Sequence, residues 1–556
     1  MPTLFCEVEG HNMGDDTREP SMNPAQSETP GMSGSFMREN RETPLVSGSS
    51  RLDRLEKATS YKTSTYAGGE SDEQVVPAKH SNNEEPSPAE SVEGSCSTEG
   101  NAEEAYTRRT QGRESVSQGL DGVREAARRD KKQKFTALLH HVTIELLRDS
   151  YYSLKRQAAP GMDGVTWQQY GEGVEERLQD LHDRVHGGAY RAQPSRRTYI
   201  PKVDGRQRPL GIASLEDKIV QQAVVTVLNA IYEEDFLGFS YGFRPGRSQH
   251  DGLDALAVGL RRKKVNWVLD LDVRGFFDTV SHEWLVKFVE HRIADRRILR
   301  LIQKWLQAGV SEEGEWKETK VGTPQGAVIS PVLANIYLHY VFDLWVNQWR
   351  RQWAQGDMIV VRYADDAVLG FEHRKDAEAF LEQLRERMRK FGLELHPEKT
   401  RLIEFGRFAE DNRKRRGEGK PETFDFLGFT HICGKTRKGK WFTVRRQTVK
   451  KRLRSKLQAV RQELRKRWHE RIAETGEWLR SVVQGYFNYH AIPGNFEALR
   501  TFRREIARAW LEALRRRSQR HRLPWERFRS IIDRYLPLPR ILHSEPGVRF
   551  DAKYPR

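Results

Sequence analysis

Two adjacent aspartates, Asp365 and Asp366, stand between two runs of β-forming residues, and no other feature of the 556-residue chain narrows its fold as far. Ile359-Val360-Val361-Arg362 precedes Tyr363-Ala364-Asp365-Asp366, and Ala367-Val368-Leu369-Gly370-Phe371 comes after it. Both flanks read as strands, so the carboxylates fall at the tip of a hairpin. Side by side they repel, and a divalent cation between them removes that cost. Hard cations such as Mg²⁺ are held by one or two carboxylates together with substrate phosphates.

A further carboxylate comes from upstream. Trp267-Val268-Leu269-Asp270-Leu271-Asp272-Val273 alternates as a strand, and Arg274-Gly275-Phe276-Phe277-Asp278 breaks it. Phosphoryl transfer by the two-metal route needs carboxylates from separate strands converging on ions roughly 3.5–4 Å apart. Asp270 and Asp272 point to one strand face, so periodicity leaves both as candidates.

Taken in order, seven blocks carry a resemblance. They are Ala159-Pro160-Gly161-Met162-Asp163-Gly164; Tyr199-Ile200-Pro201-Lys202 with Arg208-Pro209-Leu210-Gly211; Asp272-Val273-Arg274-Gly275-Phe276-Phe277-Asp278; Gly322-Thr323-Pro324-Gln325-Gly326 with Ser330-Pro331; Tyr363-Ala364-Asp365-Asp366; Gly392-Leu393-Glu394-Leu395-His396-Pro397-Glu398-Lys399-Thr400; and Phe426-Leu427-Gly428-Phe429. From about Arg128 onward the chain resembles a bacterial group II intron reverse transcriptase/maturase. The resemblance implies Asp272, Asp365 and Asp366 as catalytic carboxylates. It implies Asp272, Val273, Asp365 and Asp366 as ligands of two Mg²⁺ ions. It selects Asp272 over Asp270 because Phe277 lies five residues after it, in the place of the aromatic gate against a ribose 2′-hydroxyl. Lys202 and Arg208 resemble the residues that hold the incoming triphosphate, Gln325 one that packs near the nucleotide, and Lys399 one that approaches the leaving pyrophosphate.

Charge agrees with a polyanionic partner. Residues 1–106 hold 8 Lys and Arg against 20 Asp and Glu, so the whole-chain charge of +16 conceals a value of +28 over the rest. Such a surplus favours binding through phosphates. The first hundred residues are rich in Ser, Glu, Gly, Pro and Asn without sustained period, and residues 1–120 are expected to be a disordered tail. No apolar run approaches 18 residues, which argues against a membrane span. Three cysteines, Cys6, Cys96 and Cys433, fit a reducing cytoplasm. Order is expected from Gly122, with a helical face through Phe135, Leu138, Leu139, Val142, Leu146 and Leu147 up to Tyr152.

Beyond Arg445 the composition shifts: residues 445–540 hold 26 Lys and Arg against 9 Asp and Glu. Helical patterns run over Val449–Trp468, Thr475–Tyr489, Asn495–Arg517 and Trp525–Tyr535, with Gly494 and Pro524 marking breaks. Trp468, Trp478, Tyr486, Tyr489, Trp510 and Trp525 are interleaved with arginine, a combination suited to RNA phosphates and unstacked bases. Arg515, Arg516, Arg517 and Arg520 are the candidate RNA-binding residues. By resemblance this segment is the thumb and maturase domain. The single cysteine after residue 96 excludes a cysteine-rich endonuclease finger in the sequence given, so the endonuclease-lacking type is expected, priming from an existing DNA end.

The expected architecture is therefore α+β: a right-hand polymerase with fingers and palm over 121–447, an α-helical thumb/maturase domain over 448–540, and a C-terminal tail over 541–556. The expected function is RNA-directed DNA synthesis with Mg²⁺ and deoxynucleoside triphosphates on a DNA primer or target, together with assistance to splicing and mobility of a group II intron RNA. The expected location is the bacterial cytoplasm, at the nucleoid when acting on DNA. Two other readings remain: a reverse transcriptase recruited to spacer acquisition or phage defence, and a maturase that binds RNA with its polymerase idle.

Overall fold

A computed structural model describes residues 119–201, 207–312, 314–319, 321–323, 325–436, 441–517 and 523–555. The expected tail up to residue 118, Lys202, Pro324 and Arg520 lie outside the described residues. Eleven strands are described: β1 (Ser195–Pro201), β2 (Gln207–Ile212), β3 (Trp267–Leu271), β4 (Val310–Glu312), β5 (Glu315–Lys317), β6 (Met358–Tyr363), β7 (Asp366–Phe371), β8 (Arg401–Glu404), β9 (Phe424–Phe426), β10 (Phe429–Lys435) and β11 (Phe442–Thr448). They form three sheets, ordered β2-β1-β4-β5, β6-β7-β3-β8 and β11-β10-β9.

The central sheet β6-β7-β3-β8 is antiparallel throughout, with Leu269 opposite both Leu369 and Leu402. It is covered on both faces. Leu269, Leu271, Val360, Leu369 and Phe371 enter the largest apolar cluster, with Phe380, Leu384 and Met388 of the helix Arg374–Lys390. Val268, Val361, Val368 and Ile403 face the other way, onto Leu253, Leu256 and Leu260 of the helix Gln249–Arg262. Alternate residues of β3 thus serve different cores, which is why these strands read as nearly unbroken apolar runs. The covering helix is started by a reciprocal cap between Ser248 and Asp251.

From β2 of the sheet β2-β1-β4-β5 the chain passes within three residues into the long helix Leu215–Asp235, capped by Ser214. The first sequence block is tied to the same place. Lys218 Nζ donates to the Ala159 carbonyl at 2.9 Å and Arg196 to the Pro160 carbonyl at 2.9 Å. A Cβ on Gly161 would lie 2.5 Å from the Ser214 Cα, so only glycine fits.

One expectation fails upstream. Phe135, Leu138, Leu139 and Val142 are buried as expected, but they do not lie on one helix that runs on into the residues after them. A helix covers 119–129, Phe135 bridges to Ile293, a 3-10 turn spans Leu139–His141, and the helix Ile144–Ser153 begins at the Thr143 cap. Thr143 and the amide bonds from Leu138 and Leu139 to the Asp295 carboxylate offer the backbone partners outside a helix.

The C-terminal region is helical: Lys450–Lys466, Ile472–His490, Phe496–Arg516 and Trp525–Tyr535 pack around a separate apolar core. Trp510, Trp478 and Tyr486 are buried in it, so these three aromatics are core and not platforms for bases. Replacing Trp510, fully buried against Phe528 and Tyr535, by Ala would cost about 3–5 kcal/mol. Trp468 and Trp525 remain exposed. Residues expected as a tail instead contain the helix Pro546–Lys553, which returns to the helix Gln249–Arg262 through Arg262–Asp551 (2.6 Å), Lys553–Asp251 (2.6 Å) and Arg549–Asp254 (3.0 Å). Among the described residues no helix is long and apolar enough to cross a membrane.

Candidate active site

The β6–β7 hairpin pairs Tyr363 with Asp366, leaving Ala364 and Asp365 as a two-residue loop. Asp365 therefore sits at the tip and Asp366 on the first residue of β7. Ala364 takes φ +54°, the left-handed region that hairpin turns use but side chains resist, at a cost of roughly 1–3 kcal/mol. On the neighbouring strand Leu271 pairs with Ala367. The next residues in that register are Asp272 and Asp366, so the third carboxylate arrives from a separate strand as expected.

Asp270 and Asp272 meet different partners. Asp270 lies 3.6 Å from Arg401 and is pushed up to about 6, mainly by burial. Asp272 accepts from Lys399 Nζ at 2.8 Å, while its carbonyl accepts the His396 amide at 2.8 Å. Lys399 is thus at the carboxylate. Asp366, although its side chain reaches solvent, is driven up to about 7 by desolvation in the cleft and then by the charges of Asp365, Asp272 and Asp270. Such crowding is what a cation relieves, and an all-carboxylate donor set suits a hard divalent ion. Among the described residues no group of three acidic, His or Cys side chains is already arranged to hold a metal ion. Val273 is buried and bridges to Leu395.

The residues expected on the nucleotide side are linked by backbone and side-chain contacts. Phe277, half-buried, lies on the short helix Phe276–Thr279. The Phe277 carbonyl accepts the Thr323 amide at 2.7 Å, and the Val280 carbonyl accepts the Gly322 amide at 2.7 Å. Gly322 has φ +87°, and a Cβ there would meet the Phe277 carbonyl oxygen at 2.8 Å. Three residues on, Gln325 accepts from Arg208 Nε at 2.9 Å through its side chain and from the Gly211 amide at 2.6 Å through its carbonyl. Arg208, Gln325, Phe277, Asp272 and Lys399 are thereby joined through adjacent segments.

The candidate RNA-binding arginines divide. Arg515 and Arg516 are exposed at the end of their helix, with Arg515 donating to the Leu523 carbonyl at 3.0 Å. Arg517 turns inward, donating to the carbonyls of Glu470 at 2.7 Å and Arg467 at 3.4 Å. Its place is structural.

Sequence reasoning missed a buried network directly behind the Ala364-Asp365 turn. Arg362, 1% exposed, donates through Nε and Nη2 to the Asp343 carboxylate at 2.7 and 2.5 Å, to Asn335 Oδ1 at 3.1 Å, to Ser240 Oγ at 2.7 Å and to the Ala364 carbonyl at 2.9 Å. The signal was present: a lone arginine inside Ile359-Val360-Val361-Arg362 and a lone aspartate inside Tyr340-Val341-Phe342-Asp343-Leu344 must find each other if both are buried.

Residues 200–431 match the family model described as reverse transcriptase (RNA-dependent DNA polymerase). Protein YkfC of Escherichia coli is 36% identical over 284 residues, 45% of this chain and 74% of that protein. The group II intron-encoded protein LtrA of Lactococcus lactis is 33% identical over 249 residues, 43% of this chain and 41% of LtrA. An uncharacterized 91 kDa protein in the cob intron of Schizosaccharomyces pombe is 43% identical over 154 residues, 28% of this chain and 19% of that protein. The chain thus spans most of YkfC but less than half the length of LtrA. In class, the chain is an RNA-directed DNA polymerase. Within that class, the chain belongs to the group II intron-encoded reverse transcriptases/maturases.

Proposed function

We propose that the protein copies its intron RNA into DNA and assists that intron's splicing and mobility. The observation that carries the reading is the register that sets Asp272 beside Asp366, next to a turn presenting Asp365. Asp272, Asp365 and Asp366, with the Val273 carbonyl, would hold two Mg²⁺ ions, which when bound would activate a primer 3′-hydroxyl and stabilise departing pyrophosphate. Phe277, clamped from behind by Thr323, offers a rigid wall under C2′ of an incoming deoxynucleoside triphosphate. Arg208 and Gln325, with Lys202, would orient its phosphates and sugar, and Lys399 would pass from Asp272 to the leaving group.

In the layout we assign, residues 121–447 are fingers and palm and 448–540 are a thumb that also grips intron RNA. The charge of this helical segment supports that role, since its aromatic residues are largely buried and most of its cations, Arg467 and Arg517 apart, are left outside. Phosphate contacts supply most of such affinity. Asp365→Asn tests the reading. RNA-templated primer extension should fall by at least ~3 orders of magnitude while intron binding and protein-assisted splicing persist. Extension within about tenfold of the parent protein removes the carboxylate assignment. Loss of splicing along with extension removes the separation of the two roles.

A further inference from the structure

The buried group behind the hairpin answers a problem that the turn itself creates. Ala364 is held at φ +54°, which glycine adopts freely and alanine does not. Something must keep it there, because Asp365 and Asp366 take their direction from that residue. Among the described residues, the side chain that donates to the Ala364 carbonyl is Arg362.

Arg362 is fixed in turn. All five of its N–H bonds have partners, two on Asp343, one on Asn335, one on Ser240 and one on Ala364. Asp343 is fully buried, so the pair has no access to water and its geometry is set by the protein alone. The helix supplying Asp343 and Asn335 contains a π turn over His339–Asp343, closed by the Leu344 amide on the His339 carbonyl. In an unbroken α-helix residues eight apart stand about 80° around the axis from one another. The π turn takes up one residue, so Asn335 and Asp343 meet the same guanidinium. From the other side, the Phe239–Phe243 loop lies along β6, with the Tyr241 amide on the Arg362 carbonyl at 2.8 Å. Asn335 Nδ2 donates to the Gly242 carbonyl at 2.8 Å, and a Cβ on Gly242 would meet the Ala364 nitrogen at 2.3 Å. The turn is gripped on both flanks.

We propose that Arg362 is the positioning residue of the catalytic turn, aligned by Asp343, Asn335 and Ser240 so that its bond to the Ala364 carbonyl holds the strained residue that aims Asp365 and Asp366. The proposal rests on the polymerase reading for its kinetic consequence and on geometry alone for its effect on cation binding.

The test uses the full chain carrying Arg362→Lys or Ser240→Ala, each with and without Ala364→Gly. Mn²⁺ affinity is titrated by electron paramagnetic resonance without nucleotide, and kcat and KM for dTTP are measured on oligo(dT) annealed to poly(rA). Lysine keeps the charge but loses the planar fork, so Arg362→Lys should weaken Mn²⁺ binding and lower kcat by ~10–100-fold with KM within about threefold. Ser240→Ala removes one acceptor and no charge, and should lose roughly 3–10-fold in both; it decides the matter should the lysine variant not fold. Glycine at 364 holds a positive φ without support, so Ala364→Gly should restore several-fold of the loss in the Arg362→Lys background. A plain core role predicts lowered melting temperature, unchanged Mn²⁺ affinity and no rescue by glycine, and that pattern overturns the proposal. If the parent protein fails to extend the primer, the polymerase reading falls, and the Mn²⁺ titration still decides this one.

Discussion

Asp270 and Asp272 share a strand face two residues apart, and their neighbours separate their roles. Asp270 is engaged by Arg401 on β8, whereas Asp272 continues the register toward Asp366. Asp270→Asn should therefore keep most polymerase activity, which primer extension beside Asp365→Asn would measure; a loss as deep as that of Asp365→Asn would mean that the wrong carboxylate was chosen. Phe277 permits a second residue-level prediction. Its backbone is pinned by Thr323, so Phe277→Val opens space without moving the helix. Discrimination between deoxynucleotides and ribonucleotides should fall by roughly 10–200-fold, read as the ratio of kcat/KM values for dNTP and rNTP. An unmoved ratio makes Phe277 a packing residue. The place of the carboxylates at the end of β3 and the tip of a hairpin was legible from the strand and turn pattern, whereas the gate role of Phe277 rests on the resemblance. Arg362 was not legible, because its partners Ser240, Asn335 and Asp343 come from segments that only the fold brings together.

Elements with strong periodicity were legible almost to their ends. The pattern over Trp525–Tyr535 coincides with a helix of those bounds, and Asn495–Arg517 with Phe496–Arg516. The stretch before Thr143 was misread because apolar residues at helical spacing can be buried by irregular backbone whose amides bond a distant carboxylate, here Asp295. Periodicity also fails to say which aromatic faces inward, and so Trp510 looked available to RNA. The arginine run at the end of that helix carries a prediction in two parts. Changing Arg515 and Arg516 to Gln should weaken intron binding and flatten the slope of log affinity against log salt by ~0.7–0.9 per lost contact, while extension on a short primer-template persists. Arg517→Gln should instead lower stability by about 1 kcal/mol through its lost bonds to Glu470 and Arg467, read as a shifted melting temperature. Equal effects from both changes would erase the distinction between grip and scaffold.

The whole molecule buries imidazoles in both the sheet and helical regions. Burial lowers His250 to about 2, His431 and His490 to about 3 and His339 to about 4. In the unfolded chain such rings take protons near pH 6.5. A depressed folded value means that this stability is fully present above about pH 6.5 and drains away as pH falls toward the folded values. Each ring should remove roughly 1 kcal/mol per pH unit, so urea midpoints should drop steeply as pH falls from about 6.5 to 4.5. A constant midpoint would show that the rings protonate without penalty.

The central sheet has a consequence for how the chain becomes active. The turn bearing Asp365 and Asp366 belongs to a hairpin of immediate neighbours, which closes quickly. Asp272 joins it only when β3 pairs with β7, and β3 gains its other partner only with β8, from Arg401 onward. Such distant pairings form late because a long loop must close first. A fragment ending before Arg401 would carry Asp272, Asp365 and Asp366 yet leave β3 as a bare apolar edge, a template for another copy of itself. Assembly of the metal site and protection from aggregation are thus one event, completed by four residues of β8 that take no part in the chemistry.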